Sequence, residues 1–117
     1  MTSAQLRASD AQLKQAVYSK DVERVRLLLE QGAGPDCVES WGDTLLHYLV
    51  HEYQTVRTLH GQAIIAILEL LLVNGANPDH VGANNWRAID VSLAEDLHEL
   101  TEVFIRHGAS PTQREFQ

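Results

Sequence analysis

The sequence has one cysteine, Cys37, so no disulfide can form within the chain, and that scarcity fits a reducing compartment. Cations are also scarce: nine Lys and Arg stand against sixteen Asp and Glu, for a net charge of −7. Binding to nucleic acid or to an anionic membrane needs basic side chains to neutralise phosphates, so both are disfavoured, while a basic partner is compatible. No long apolar run is present. AIIAILELLLV, 63–73, carries Glu69 and falls far short of the roughly 20 residues of a membrane span. No apolar stretch follows a basic start, as a signal peptide would require. These absences predict a soluble, cytoplasmic protein. With 44% hydrophobic and 21% charged residues, 117 residues suffice for a single domain, 1–117, with a modest core.

The three prolines are placed with a pattern. LLEQGAGPD (28–36), LLVNGANPD (71–79) and FIRHGASPT (104–112) each put Pro35, Pro78 or Pro111 three residues after a glycine. Gly75 and Gly108 are 33 residues apart, and Gly32 and Gly75 are 43 apart, ten more. A period near 33 with two helical patterns per unit is the mark of a helical repeat. Val22, Val25, Leu28 and Leu29 fall at helical spacing before Gly32; Ile64, Ile67, Leu68 and Leu71 do so before Gly75; Leu97, Leu100 and Val103 before Gly108. Glycine there ends the helix in a left-handed conformation, and proline then holds the chain extended.

A shorter helix precedes each of these. SDAQLKQAVYS has Ser9 and Gln12 at capping-box spacing, GDTLLHYLV has Asp43 or Thr44 as its cap, and NNWRAIDVSLA has Asn84 or Asn85. Two antiparallel helices and an extended turn cannot bury their apolar face alone, but stacked neighbours hide it.

The middle unit, with GDTLLH, resembles the G-x-T-P-L-H motif of the ankyrin repeat family, with Leu45 in place of proline. The third, NWRAID, keeps Ile89 for the leucine and Asp90 for the histidine; the first lacks both Thr and His, as a terminal repeat is expected to. The resemblance covers about residues 8–112. It implies an all-α solenoid of about three helix-turn-helix units, at about 9–42, 43–85 and 86–112, followed by a tail over 113–117. The ten surplus residues enlarge the middle unit within HEYQTVRTLHGQA (51–63). Val56, Leu59 and Ala63 keep helical spacing with Ile67, which predicts a long second helix starting between Gln54 and Thr58. Gly61 costs that helix about 1 kcal/mol relative to alanine.

Chemistry is sparse. His47 and His51 stand at i, i+4, with Glu52 next, but no further ligand has convincing spacing, so no metal or other cofactor is expected. The resemblance assigns His47 to hydrogen bonding between neighbouring turns. Cys37 lies between Asp36 and Glu39, the wrong charge to activate a thiol. Gly32-Ala33-Gly34 follows a helix and so is not a phosphate loop. The acidic residues Asp36 and Glu39 read as a solvated turn, and Glu95 and Asp96 as a helix start. The chain reads as a non-enzyme.

In ankyrin stacks the turn tips and first helices form a concave face. The resemblance therefore places Ser40, Trp41 and Asp43 on one tip and Asn84 and Trp86 on the next. Tyr18, His51, Glu52 and Glu95 fall at the exposed ends of the first helices, and Tyr53 lies in the insertion. Tryptophan is the residue most enriched at binding hot spots. This aromatic and acidic set suits a single protein partner presenting Lys or Arg beside apolar surface. The implied function is a stand-alone module that binds and occludes that partner, as a monomer or in a heterodimer. Compact ankyrin proteins include bacterial immunity proteins that neutralise a toxin and inhibitors of kinases or transcription factors. Acidity and brevity point to the toxin-neutralising version, with a structural or assembly subunit, or an ankyrin-type inhibitor of a kinase or transcription factor, as the alternatives.

Overall fold

Helix stops set the architecture. In the computed structural model, which describes residues 10–110, Gly32, Gly75 and Gly108 have φ of 95°, 101° and 95°. The alanine after each, Ala33, Ala76 or Ala109, donates its N–H back to Leu28, Leu71 or Phe104 at 3.0, 2.9 and 3.0 Å. This pair of a left-handed glycine and a six-residue return bond satisfies carbonyls that the helix end would otherwise orphan. Five helices result: α1 (Asp10–Tyr18), α2 (Val22–Glu30), α3 (Leu45–Val73), α4 (Ala88–Ala94) and α5 (His98–Arg106). The described residues are all-helical apart from turns and one isolated bridge between Val38 and Thr44.

The short joints repeat too. Between α1 and α2, Lys20 is left-handed (φ 58°) and Asp21 N–H bonds the Ala16 carbonyl at 3.1 Å. Between α4 and α5, Asp96 (φ 57°) and the Leu97–Ser92 bond of 2.9 Å do the same. The two long turns also match: Gly42 and Asn85 have positive φ, with bonds Glu39 N–Asp43 O and Gly82 N–Trp86 O closing them at 2.7 and 2.9 Å. Asp21 caps α2 by accepting from Arg24 N–H at 3.1 Å, and Thr44 caps α3. Ser9 and Pro111 lie outside the described residues, as does the 113–117 tail. For α4 the expected caps Asn84 and Asn85 are corrected: the cap is Arg87, because Asn85 is used up in the left-handed turn. Glu95 and Asp96 likewise end α4 and turn the chain, and Leu97 begins α5.

The insertion is helical. α3 runs unbroken by any loop for 29 residues, with a single departure from helical angles at Val56 (φ −122°, ψ 16°). That kink lies where the second helix was expected to begin, but no turn separates the expected first and second helices of the middle unit: they form one kinked helix, which corrects the expected helix-turn-helix pair there. It packs against all four other helices. Leu45, Leu49, Ile64, Ile67, Leu68 and Leu71 are wholly buried and join Leu13, Val17, Val25, Ile89, Leu100 and Phe104 in one core. The expected apolar stripe fades in the extension, since Leu59 is 82% exposed. Gly61 is inside α3 with ordinary φ, and an added Cβ would meet the Tyr53 ring at 3.4 Å, near ordinary contact. Gly61→Ala is therefore expected to raise stability by about 0.5–1 kcal/mol through helix propensity, read as a higher midpoint in urea.

Candidate binding cleft

The site is built from the start of α3 outward. Thr44 has extended backbone angles, and its hydroxyl accepts from His47 N–H at 3.4 Å. The imidazole turns back: Nδ1 accepts from Thr44 N–H at 3.1 Å and lies 2.8 Å from Thr44 Oγ1. Its Nε2 reaches across 39 residues to the Trp86 carbonyl at 2.8 Å. An amide N–H only donates and a carbonyl only accepts, so the ring is the neutral Nε2–H tautomer. Burial holds the His47 pKa below the usual histidine value, against the opposing pull of the Trp86 carbonyl and Asp43.

A folded-state pKa depressed in this way means that the unfolded chain binds the proton first. The stability due to His47 is fully present above about pH 6.5. It is lost as pH falls from there through the lower folded value. Urea midpoints measured between pH 7.5 and 5 should fall with acidification, and His47→Gln should remove that part of the slope.

The second turn is tied to the first by more than this bond. Asp43 Oδ1 accepts from Ala83 N–H at 2.9 Å, His80 Nε2 donates to the Gly42 carbonyl at 3.3 Å, and Asp36 Oδ1 accepts from Asn77 N–H at 2.6 Å. Gly82 makes room for this approach: a Cβ there would sit on the Asp43 carboxylate and 2.9 Å from His47 Nε2. In α4 the residue matching His47 is Asp90. It accepts from Arg87 backbone N–H at 2.9 Å and from the guanidinium through Nε at 3.1 Å and Nη2 at 2.8 Å. Arg87 also contacts Asp79 at 3.4 Å.

Between α3 and α4 these joints leave a cleft of about 280 Å³, lined by Asp43, His47, His51, Asn84, Trp86, Val91, Ala94 and Glu95. Trp86 is half-buried in its wall, whereas Asn84, His51 and Glu95 are exposed. Gln54 donates to Glu95 at 2.6 Å.

Five residues singled out from the sequence thus come together: Asp43, His51, Asn84, Trp86 and Glu95. Trp41 projects from the first tip, 58% exposed, beside exposed Ser40. Tyr18 and Glu52 belong to a neighbouring network. There Tyr18 stacks edge-on to Tyr48 at 5.0 Å and donates to Glu39, while Glu52 accepts from Tyr48 at 2.9 Å and Lys20 at 2.8 Å. Burial and the Glu39 carboxylate push the Tyr18 phenol up to about 12. The Lys20 contact draws the Glu52 carboxyl below its ordinary range.

Two expectations change. Glu39 is buried rather than solvated, because Tyr18 and Lys14 (3.9 Å) satisfy its carboxylate. Tyr53 faces inward, its hydroxyl 3.3 Å from Glu99, so its ring is not available to a partner. Tyr48, Gly82 and Val91 were not singled out. Only Gly82 carried a sequence signal, 43 residues after Glu39 at the opening of the equivalent turn.

Among the described residues no three His, Cys, Asp or Glu side chains converge as a metal site. The Cys37 thiol is buried, and that burial pushes its pKa to about 12. No protein-family model matches the chain, and no curated protein matches it.

Proposed function

We propose that the chain is a three-unit ankyrin-type stack with an enlarged middle unit, and that it is a non-catalytic module binding and occluding one protein partner. The observation that carries this reading is the cleft between α3 and α4, with Trp86 in its wall and Trp41 exposed on the adjoining tip. The recurrence of helix stops, left-handed joints and closed turns supports the stacked architecture. His47 and Asp43 join the two turns as a stack requires. A protonated, buried thiol and a histidine committed on both nitrogens favour binding over catalysis.

Within this reading a toxin or another enzyme is the partner class, and the cytoplasm is the compartment. α3 is long and apolar enough to cross a membrane. The kink at Val56 and the buried, hydrogen-bonded His47 favour a folded core helix instead.

Purification from the native cell is the test: it should recover one stable partner at defined stoichiometry. Trp41→Ala should weaken that complex at least about tenfold, roughly 1.4 kcal/mol, with an unchanged melting temperature. Equal loss of binding and helicity would make Trp41 a structural residue. A second reading, an assembly subunit, is favoured by exposed Val73 (69% exposed) beside half-buried Leu70. Light scattering separates the two, because a self-associating stack forms a dimer without any partner.

A further inference from the structure

α3 changes direction at one residue. Val56 has φ −122° and ψ 16°, while the rest of the helix keeps helical angles. A straight helix sets residues eight apart about 12 Å from each other and leans side chains toward its N-terminus. Yet the Tyr53 ring lies 3.4 Å from the place a Gly61 Cβ would take, so the helix folds back on itself at Val56. The first and third units turn between their helices on left-handed Lys20 and Asp96, each fastened by a return bond. The bend in the middle unit has no left-handed residue. Helical angles at Val56 alone would make α3 one straight rod of 29 residues, about 43 Å long.

That change cannot stop at one molecule. Leu46, Leu49 and Val50 before the bend and Ile64, Ile67 and Leu68 after it share one core, each at most 1% exposed. Hydrogen bonds also span the bend: His47 to Trp86, Asp43 to Ala83 and Gln54 to Glu95. Straightening would part these surfaces and bare the core to water. The surface that fits each half is the other half of this same sequence, which a second copy supplies.

We propose that the chain forms a domain-swapped dimer in which α3 straightens at Val56 and residues 10–55 of one copy pack on residues 57–110 of the other. The core and the joints are remade between copies, so the exchange costs little beyond the entropy of association. Exposed Leu59 then has a role. Val56, Leu59 and Ala63 are three and four residues apart, and in a straight α3 they form one apolar stripe beside the two-fold axis, where the same stripe of the second copy crosses it. In the folded-back chain Leu59 is 82% exposed and stands outside the core. The dimer carries two clefts, each with α3 from one copy and α4 from the other. This inference goes beyond the binding reading above and does not depend on it.

Refolding of the full chain from urea at low and at high concentration, followed by light scattering, tests it. The concentrated sample should contain a dimer that persists on dilution, because exchange requires both cores to open. An edge-to-edge dimer would dissociate instead. Val56→Ala and Val56→Gly both remove the side chain, yet alanine favours a straight helix and glycine disfavours it. The dimer-to-monomer ratio should be at least about fivefold higher with alanine than with glycine. Leu59→Gln should lower the ratio and leave the urea midpoint of the monomer unchanged.

Gln54→Cys with Glu95→Cys, joined by a short bis-maleimide, reads the connectivity. Cys37 is buried and protonated, so it does not compete. The isolated dimer should yield covalent dimers on a denaturing gel, and the isolated monomer only links within one chain. No dimer at either concentration, a dimer linked only within chains, or equal ratios for alanine and glycine would overturn the proposal and leave the binding reading standing.

Discussion

Asp90→Ala is expected to lower unfolding stability by about 3–5 kcal/mol, the range for breaking a buried ion pair by removing one partner. Asp90 is 2% exposed, and it accepts three bonds from Arg87, including the backbone N–H that opens α4. Its loss removes the 2.8 Å carboxylate partner of a guanidinium whose pKa is raised by that same hydrogen bonding. A domain has a total of only about 5–15 kcal/mol, so a substantial unfolded population should appear in urea titrations near neutral pH. The double variant Arg87→Met with Asp90→Leu should recover most of the loss, because well-packed apolar residues replace a buried pair at little net cost. A single variant as stable as the parent would show that the pair is solvated.

His47→Ala is the second large effect, with an expected loss of about 2–4 kcal/mol. Each orphaned buried group costs roughly 1–3 kcal/mol, and truncating the ring leaves both the Thr44 N–H and the Trp86 carbonyl without this partner, as well as a cavity. The damage should be regional. Hydrogen exchange is expected to accelerate at Thr44, Gly82 and Ala83, which the ring and Asp43 hold together, and to change little at Ala33 and Ala109. Uniform acceleration along the chain would assign His47 a general packing role instead of a joint between two turns.

Local features of this fold were legible in the sequence because they depend on few residues. A glycine with a following alanine encodes the left-handed helix stop at positions 32, 75 and 108, and Thr44 encodes its cap through its own hydroxyl. The all-helical class followed from apolar spacing. What escaped notice depends on distant partners. Asn84 and Asn85 have good capping chemistry, but the turn claimed Asn85 for its positive φ and moved the helix start to Ala88. Glu39 looked solvated because Tyr18, 21 residues away, was not visible as its hydrogen-bond donor. Tyr53 and Leu59 lie in one insertion of one apparent period, yet one is buried and the other exposed, because the helical extension runs past the packed core. Of the residues lining the cleft, Asp43, His51, Asn84, Trp86 and Glu95 were singled out from the sequence. That Asp43 and Glu95 have no ion-pair partner among the described residues was not legible, since it depends on where distant lysines and arginines lie.

The stack proposal rests on one joint, where the α3 ring holds the turn that carries Trp86. Nitrogen-15 spectra of the histidine rings at neutral pH examine it directly. The account predicts that His47 is locked as the neutral Nε2–H tautomer, with through-space contacts from its ring to the backbone of Trp86. An Nδ1–H tautomer, or a ring averaging between forms with no contact to Trp86, would contradict it.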